Sequence, residues 1–183
     1  KAQENKSRIL YEFAEMSPKK SILDIGCGWG ANLEYVAKRG ARQAHGVTLS
    51  TAQAEEIKAR NLPGVDVWVM DYKDFVPKEP YDSLVSIEMV DHMVSPAQAA
   101  QGLAVDIYRK YFNKCATLAK PGALFAFQSI LRNRVPRTRN DIADLKFTAD
   151  VIFPGGLNAR LEELVMAVNP SWEILELHTR RVD

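Results

Sequence analysis

The chain has 183 residues, of which 46% are hydrophobic and 26% charged, a balance typical of one ordinary globular domain. With 24 basic and 23 acidic side chains the net charge is +1, so the composition favours neither nucleic acid nor an anionic membrane surface. No apolar run reaches the roughly 18 residues that a membrane span needs. We expect a single cytoplasmic domain over residues 1–183, with no nucleic-acid partner and no transmembrane segment; the oligomeric state stays open.

Helical and strand patterns alternate along the chain. Apolar residues at helical spacing predict helices over residues 3–16 and about 97–118, and a further helix near 157–168. Another helix runs through Leu33, Val36 and Ala37, with Gly40 as its stop, and Ser50 opens the helix after the second strand. Short runs rich in β-forming residues predict strands over residues 21–25, 43–47, 65–70, 81–87, 123–130 and 172–178. This order predicts an α/β fold with a doubly wound, mostly parallel sheet.

Three local signals refine this prediction. Ser50, with Gln53 three residues later, has the spacing of a capping box at a helix start. Pro121-Gly122 predicts a break between the long helix and the fifth strand. In a parallel sheet, ligands bind at the carboxyl ends of the strands. We therefore look for functional residues where each predicted strand ends.

The first strand runs into a glycine-rich loop, Asp24-Ile25-Gly26-Cys27-Gly28-Trp29-Gly30-Ala31. The glycines fit both a dinucleotide site and an S-adenosylmethionine site, and a turn without a ligand is the third alternative. A dinucleotide site usually has an acid about 20 residues further on, where this chain has Val47-Thr48-Leu49. A carboxylate such as Asp24 would repel a pyrophosphate but attract an ammonium and a sulfonium. The loop therefore favours S-adenosylmethionine.

Polar groups also follow the third and fourth strands. Asp71-Tyr72 suits an adenine amino group and ring, or a helix cap followed by a half-exposed tyrosine. Glu88, Asp91 and His92 follow the fourth strand, and if a helix begins there Glu88 and His92 share one face. Such a cluster serves as a general base or stabilises a cation, the alternative being a solvated first turn.

Residues 132–140 form a basic, turn-rich segment that contains Arg132, Arg134, Arg137 and Arg139. Arginines at this density can grip a phosphate, such as a lipid headgroup or a phosphorylated carrier. The segment lacks interleaved aromatic residues, so a solvated loop is the alternative that we favour. The two cysteines, Cys27 and Cys115, have no metal-site or disulfide spacing, and we expect no metal.

Five segments together resemble the cyclopropane-fatty-acyl-phospholipid synthase family. They are ILDIGCGWG (22–30), GVTLSTAQ (46–53), SIEMVDHM (86–93), LAKPGALFAF (118–127) and IFPGG (152–156). The family includes the mycolic acid cyclopropane synthases and belongs to the class I S-adenosylmethionine-dependent methyltransferases, which have a Rossmann-like fold. Plant coclaurine-type N-methyltransferases share much of the pattern, including the stretch that corresponds to residues 88–92.

The resemblance assigns a cofactor role to ten residues. It implies that Asp24, Gly26, Cys27 and Gly28 line the methionine end of S-adenosylmethionine, and that Ile87 lies beside the sulfonium. It further implies that Thr48, Leu49 and Gln53 follow the ribose, and that Asp71 and Tyr72 hold the adenine. The product of the cofactor would be S-adenosylhomocysteine.

The sequence also departs from the cyclopropane synthases. They bind a bicarbonate ion as base, using a glutamate where this chain has Asp91 and a histidine where it has Gln128, while their isoleucine is kept as Ile130. Glu88 stands where they usually have glycine. Closing a cyclopropane ring needs a base, and an amide cannot carry a proton. We therefore expect methyl transfer to a lipid-like or unsaturated carbon acceptor, with Glu88, Asp91 and His92 as catalytic residues and ring closure in doubt.

Two other functions stay open at this point. One is a small-molecule N- or C-methyltransferase of the coclaurine or natural-product type, and the other is a cofactor-binding module without catalysis. The chain opens on Lys1, and only the first strand of the family's closing hairpin is found. We expect a core truncated at both ends.

Overall fold

The computed structural model describes residues 2–132, 138–147, 150–151 and 154–179. It contains five strands, β1 to β5 in chain order: Ser21–Ile25, Gln43–Thr48, Val65–Val69, Tyr81–Ile87 and Ala119–Gln128. The helices α1 to α7 are Ala2–Phe13, Ala31–Ala37, Thr51–Ala59, Pro96–Ala100, Ala104–Leu118, Arg139–Phe147 and Leu161–Val168. A short 3₁₀ helix covers Val90–His92.

All five strands are parallel, in the order β3-β2-β1-β4-β5. The strand β1 is central, and its Asp24 is in register with Gly46 of β2 and Val85 of β4. All five residues of β1 are buried, as expected for a strand covered on both faces. The predicted α/β class with a parallel sheet and flanking helices is confirmed.

The chain divides into two compact units. The first comprises Lys1–Met89 and Thr117–Ser129, and the second comprises Val90–Ala116 and Ile130–Asp183. The sheet lies in the first unit, where one apolar core joins α1, α2 and α3 to the strands. Leu10 of α1 and Ala14, which directly follows this helix, are both buried in this core.

Two elements differ from the sequence prediction. The helix predicted over 97–118 is two helices, α4 and α5, since Gly102 has a φ of +76° that no α-helix accommodates. Pro121-Gly122 does not precede β5 but lies within it. Tyr81 pairs with Ala119 and Ser83 pairs with Leu124, so β5 has more residues than β4 between these two pairs. Pro121 and Gly122 therefore lie in a β-bulge.

The strand predicted over 172–178 is wrong: residues 172–179 have no regular secondary structure. Trp172 and Ile174 have the alternation of a strand, but a strand exists only through pairing, and among the described residues this segment has no paired neighbour. Its start is bound elsewhere in the second unit. The Trp172 indole Nε1 donates to the Phe112 carbonyl of α5 at 2.9 Å, and Ser171 contacts Asn113.

A search of the described residues finds no helix that is both long and apolar enough to cross a membrane. The longest, α5, carries its charged side chains on one face and its buried aromatic residues, Tyr108, Tyr111 and Phe112, on the other. This is the pattern of a helix that covers a protein core.

Candidate functional site

The glycine loop is held to the sheet by its own backbone. The amides of Gly26 and Cys27 both donate to the Val47 carbonyl at the end of β2, at 3.0 and 3.1 Å. Gly26 and Gly28 have φ values of +78° and +53°, which residues with a side chain rarely adopt. The loop thus turns sharply directly after the last residue of β1.

The three glycines differ in what surrounds them. A Cβ on Gly26 would lie 2.7 Å from the Met89 sulfur, and one on Gly30 would lie 2.6 Å from Ile57. A Cβ on Gly28 would meet nothing within 4 Å. Gly26 and Gly30 are therefore required for packing, whereas Gly28 borders open space that a ligand can approach.

Asp24 is the most unusual ionisable group of the first unit. It is 1% exposed, and its Oδ1 has no hydrogen-bond partner among the described residues. Burial raises the pKa of Asp24 to about 7, while the neighbouring Asn32 side chain and the charge of Lys6 oppose this shift. Both polar side-chain atoms of Asn32 are also buried and unpartnered in the described part of the chain. Such groups are costly to leave unsatisfied, so they point to a polar ligand at the loop.

Cys27 contributes packing and its backbone rather than a reactive thiol. Its side chain is buried against Gly46, and burial, reinforced by the Asp24 charge, raises the pKa of the Cys27 thiol far above its ordinary range. A thiol with so high a pKa is not a nucleophile. A cofactor at this loop would meet the Cys27 backbone.

The residues after β2 form a small hydrogen-bonded group. The Thr48 hydroxyl donates to Gln53 Oε1 at 2.6 Å and accepts from the Ser50 amide at 3.2 Å, and Ser50 Oγ accepts from the Gln53 amide at 3.3 Å. Half of the predicted capping box is therefore present, since the Gln53 side chain turns to Thr48 instead of Ser50. Leu49 between them is 72% exposed, a large apolar surface beside the loop.

Asp71 and Tyr72 lie in a turn after β3. Asp71 Oδ1 accepts from the Lys73 amide at 3.0 Å, so the carboxylate caps this turn, although no helix follows it between β3 and β4. Its Oδ2 lies 3.6 Å from the Lys73 ammonium, which stands over the Tyr72 ring. Asp71 and Tyr72 are both half-buried, so the turn leaves them accessible to an adenine ring.

The acidic cluster after β4 does not form one helical face, because the condition for it, a helix that begins at Glu88, is not met. The only helical turn there is the 3₁₀ helix that begins at Val90. Glu88 precedes it with a φ of +57°, and its amide donates to the Gln128 carbonyl of β5 at 2.8 Å. This pairing to the sheet keeps Glu88 out of any helix, so Glu88 and His92 are not an i, i+4 pair.

Glu88 and Ile87 belong to the first unit, and Asp91 and His92 to the second. Glu88 is half-buried, with its Oε1 at 3.8 Å from the Lys6 ammonium. Asp91 is buried, and its Oδ2 accepts from the Ile130 amide at 3.4 Å. His92 is exposed. The three predicted catalytic residues thus have three different environments.

The second unit contains a cleft of about 390 Å³, lined by Pro96, Ala99, Ala100, Arg132, Leu157, Arg160 and Glu163. Of the predicted basic loop, Arg132 lies 3.5 Å from Glu163 and Arg139 begins α6, while residues 133–137 are outside the described residues. Arg132 is therefore partly neutralised within the protein. The described residues contain no cluster of side chains that could hold a metal ion.

Sequence reasoning missed two residues at the loop, Lys6 and Asn32. Asn32 is the second residue of α2 and is 2% exposed, although an amide at a helix start is usually solvated. Lys6 lies on α1, four residues before the buried Leu10. The signal for Lys6 was available, because a lysine in phase with the buried face of a helix is unusual.

Comparison with known proteins identifies the family to which this chain belongs. The model of the mycolic acid cyclopropane synthetase family matches residues 1–183. A probable fatty acid methyltransferase of Mycobacterium tuberculosis is 31% identical over 160 residues, which is 85% of this chain and 34% of that protein. The cyclopropane-fatty-acyl-phospholipid synthase of Escherichia coli is 26% identical over 184 residues, which is 100% of this chain and 44% of that protein. The chain thus spans less than half the length of these relatives.

The fold has a similar counterpart among solved structures. The cyclopropane synthase MmaA2 from Mycobacterium tuberculosis superposes with a TM-score of 0.77, covering 91% of this chain and 59% of that one. The two sequences are 23% identical, so the superposition establishes the fold and not the chemistry.

Proposed function

Because the chain belongs to the mycolic acid cyclopropane synthetase family, we propose that it transfers a methyl group from S-adenosylmethionine to a carbon of an unsaturated, lipid-like acceptor. The observation that carries the proposal is the buried Asp24 carboxyl at the glycine loop, whose Oδ1 has no hydrogen-bond partner among the described residues. The names of the two relatives, a fatty acid methyltransferase and a phospholipid cyclopropane synthase, support an acyl chain as the acceptor.

The residues present fit the methionine end of this cofactor. The orphaned atoms of Asp24 and Asn32 offer an acceptor and a donor, and Gly28 borders open space. Asp24 would take the ammonium group, and the backbone of Gly26, Cys27 and Gly28 would lie against the methionine moiety. When bound, the cofactor supplies an electrophilic methyl group on a sulfonium.

The other end of the cofactor would lie along the next two strand ends. The exposed Leu49 would provide an apolar surface for the ribose, and the hydrogen-bonded Thr48 and Gln53 would provide its polar partners. The half-buried Asp71 and Tyr72 suit the adenine amino group and ring. Ile87 ends β4 and would lie beside the sulfonium.

The residues do not fit the bicarbonate ion of the cyclopropane synthases. The Ile130 amide already donates to the Asp91 carboxylate at 3.4 Å, so a protein anion takes this donor. Gln128 Oε1 is a buried acceptor without a partner among the described residues, and an amide, unlike a histidine, cannot carry a proton away from a bound base. We therefore propose methylation without ring closure.

The acceptor's reaction then needs no dedicated base for the transferred methyl group. The π electrons of the acceptor form the new carbon–carbon bond as the sulfur–methyl bond breaks, and the resulting carbocation loses a proton from an adjacent acceptor carbon. The negative charge of Glu88 would stabilise this cation.

An amine acceptor is the second candidate, and Glu88 favours it. A carboxylate stands here where cyclopropane synthases usually have glycine, and the left-handed backbone of Glu88 is costly for a residue with a side chain. Such strain is retained where the side chain has a role. A carboxylate suits a protonated amine, which must be oriented and deprotonated before it attacks.

A cofactor with a trideuterated methyl group separates these reactions. The chain is incubated with this cofactor and either an unsaturated phospholipid or a benzylisoquinoline amine, and the masses of the products are measured by mass spectrometry. We expect a methylated lipid that retains all three deuterium atoms. Loss of one deuterium would show ring closure, and labelling of the amine alone would select the second candidate.

Cofactor binding is measured separately from methyl transfer. Calorimetric titration with S-adenosylhomocysteine, with nicotinamide dinucleotides as controls, is expected to show binding of the first alone, at a Kd of about 1 µM. Dinucleotide binding would overturn the methyltransferase proposal. Binding of S-adenosylhomocysteine without labelling of any acceptor would support a cofactor-binding module instead.

A further inference from the structure

Lys6 occupies an unusual place for a lysine. It lies on α1, one turn before Leu10 and two turns before Ala14, both of which are buried in the core of the first unit. The helix packs against α2 and β5, and α2 begins where the glycine loop ends. The Lys6 side chain is only 33% exposed, and its charge acts on Asp24 beside this loop.

The charge of Lys6 acts on two carboxylates at the candidate cofactor site. Its ammonium lies 3.8 Å from Glu88 Oε1, and its field lowers the pKa of the buried Asp24 against the larger effect of burial. At 3.8 Å the pair with Glu88 is loose, and an ammonium has three N–H donors. Lys6 therefore has donor capacity left for a ligand.

The balance of charge at the loop suggests which part of a ligand Lys6 would meet. The methionine end of S-adenosylmethionine carries an ammonium and a carboxylate. Asp24 and Glu88 would attract the ammonium, but without a cation beside them they would repel the carboxylate. Lys6 supplies that cation, and the Asn32 amide, at the start of α2 directly after the loop, has an unused donor.

We propose that Lys6 binds the carboxylate of the cofactor's methionine moiety and so selects for a cofactor that carries both an ammonium and a carboxylate. The inference rests on the proposed function, since it assigns a further binding residue to the same site. It makes α1 part of the cofactor site, although α1 precedes the first strand and carries none of the sequence motifs.

A structural role is the competing explanation. Lys6 would then hold Glu88 in place, or extend its ammonium to water while its stem covers apolar surface. Both explanations allow Lys6 substitutions to affect stability. Only the proposal requires that they affect ligands with and without a carboxylate differently.

The test is a calorimetric comparison of two ligands. S-adenosylhomocysteine has the carboxylate, whereas its decarboxylated analogue, S-adenosyl-3-thiopropylamine, keeps the ammonium and lacks it. For Lys6→Gln we expect about tenfold weaker binding of S-adenosylhomocysteine, the usual size of a lost charge-assisted contact, and no loss for the analogue. An equal loss for both ligands, or no loss for either, would overturn the proposal.

Lys20 provides the matched control. Its side chain is 32% exposed, close to the 33% of Lys6, and it also pairs loosely with a glutamate, Glu15, at 3.6 Å. Lys20→Gln removes the same charge from the same unit and should leave both affinities unchanged. If Lys20→Gln weakens the binding of S-adenosylhomocysteine as much as Lys6→Gln does, the loss of affinity comes from the change in net charge and the proposal fails.

Two further measurements test the proposal even if Lys6→Gln does not fold. Lys6→Arg keeps the charge and should bind S-adenosylhomocysteine within about threefold of the parent chain. The parent chain alone should prefer S-adenosylhomocysteine to the decarboxylated analogue by about tenfold, and equal affinity would overturn the proposal without any variant.

Failure of the underlying function gives a different result. If the parent chain binds neither ligand, the cofactor assignment and the role of Lys6 both fail. If it binds S-adenosylhomocysteine but shows no preference for the carboxylate, only the role of Lys6 fails.

Discussion

Two aspartates at opposite ends of neighbouring strands show how the same residue type serves two purposes. Asp82, at the start of β4, accepts from the amide and hydroxyl of Ser21, both at 2.9 Å, and from the Lys120 ammonium at 2.7 Å. Asp24, near the end of β1, has an oxygen with no partner among the described residues. One carboxylate is saturated by its own chain and the other is not.

Their pKa values diverge accordingly. Burial opposes ionisation of Asp82, but the hydrogen bonds from Lys120 and Ser21 outweigh it and lower its pKa to about 2. For Asp24 burial dominates and raises the pKa to about 7. Asp82 therefore stabilises the fold at neutral pH, whereas ionised Asp24 costs stability that a cationic ligand can recover. The carboxyl ends of the strands hold the group that needs a ligand.

The largest effect is expected from Asp24→Asn. The neutral amide cannot form an ion pair with a ligand ammonium, so we expect the affinity for S-adenosylhomocysteine to fall by roughly 100-fold. The same change should raise the free energy of unfolding at pH 8, by up to about 4 kcal/mol, because the buried charge is gone. Calorimetry and urea denaturation measure the two effects. A variant that is less stable and binds normally would reverse the assignment of Asp24.

Two glycines extend the comparison from charge to space. Gly28→Val adds atoms to the open side of the loop and should weaken the binding of S-adenosylhomocysteine by about 10-fold or more, and because the φ of +53° strains a branched side chain it should also lower the stability. Gly46→Ala would place a Cβ 2.7 Å from the Cys27 sulfur, and should destabilise the fold by about 1–3 kcal/mol. Thermal unfolding and calorimetry separate the effects. Unchanged affinity in a folded Gly28→Val variant would show that the loop does not approach the ligand.

The pH dependence of binding is a finer test of Asp24. Since its pKa is about 7, only a minority of free protein has the ionised carboxylate at pH 6. The affinity for S-adenosylhomocysteine should therefore rise by roughly tenfold between pH 6 and pH 8. Asp24→Asn should abolish this rise, while Asp82→Asn should leave it in place. A flat profile in the parent chain would remove Asp24 from the ligand.

The smallest effect is expected from Asp82→Asn. Because the folded pKa of Asp82 lies below its unfolded value, its stabilisation is present above about pH 4 and is lost as the pH falls toward 2. The variant should lose about 1–2 kcal/mol of unfolding free energy at pH 7, a discounted value for a partly exposed pair. It should bind S-adenosylhomocysteine as the parent chain does. Weaker binding would show that the two ends of the strands are coupled.

The sequence determined the parallel sheet and the position of the glycine loop. Both are local properties: a run such as residues 21–25 is apolar throughout, and glycines follow directly at the point where the chain must turn. It also identified Asp24, because a carboxylate beside such a loop has few structural reasons to be there. These signals are read from neighbouring residues and need no knowledge of distant contacts.

Distant contacts decided the rest. The sequence left open whether Glu88 begins a helix with His92, and the structure shows that the Glu88 amide instead pairs with Gln128 of β5, forty residues later in the chain. Residues 172–178 have a strand pattern without a strand, since pairing and not alternation makes one. Lys6 joined the site only once α1 was packed on the core. A pattern along the chain records what a segment can form, and the hydrogen-bond partners and charges brought beside it decide what it does form.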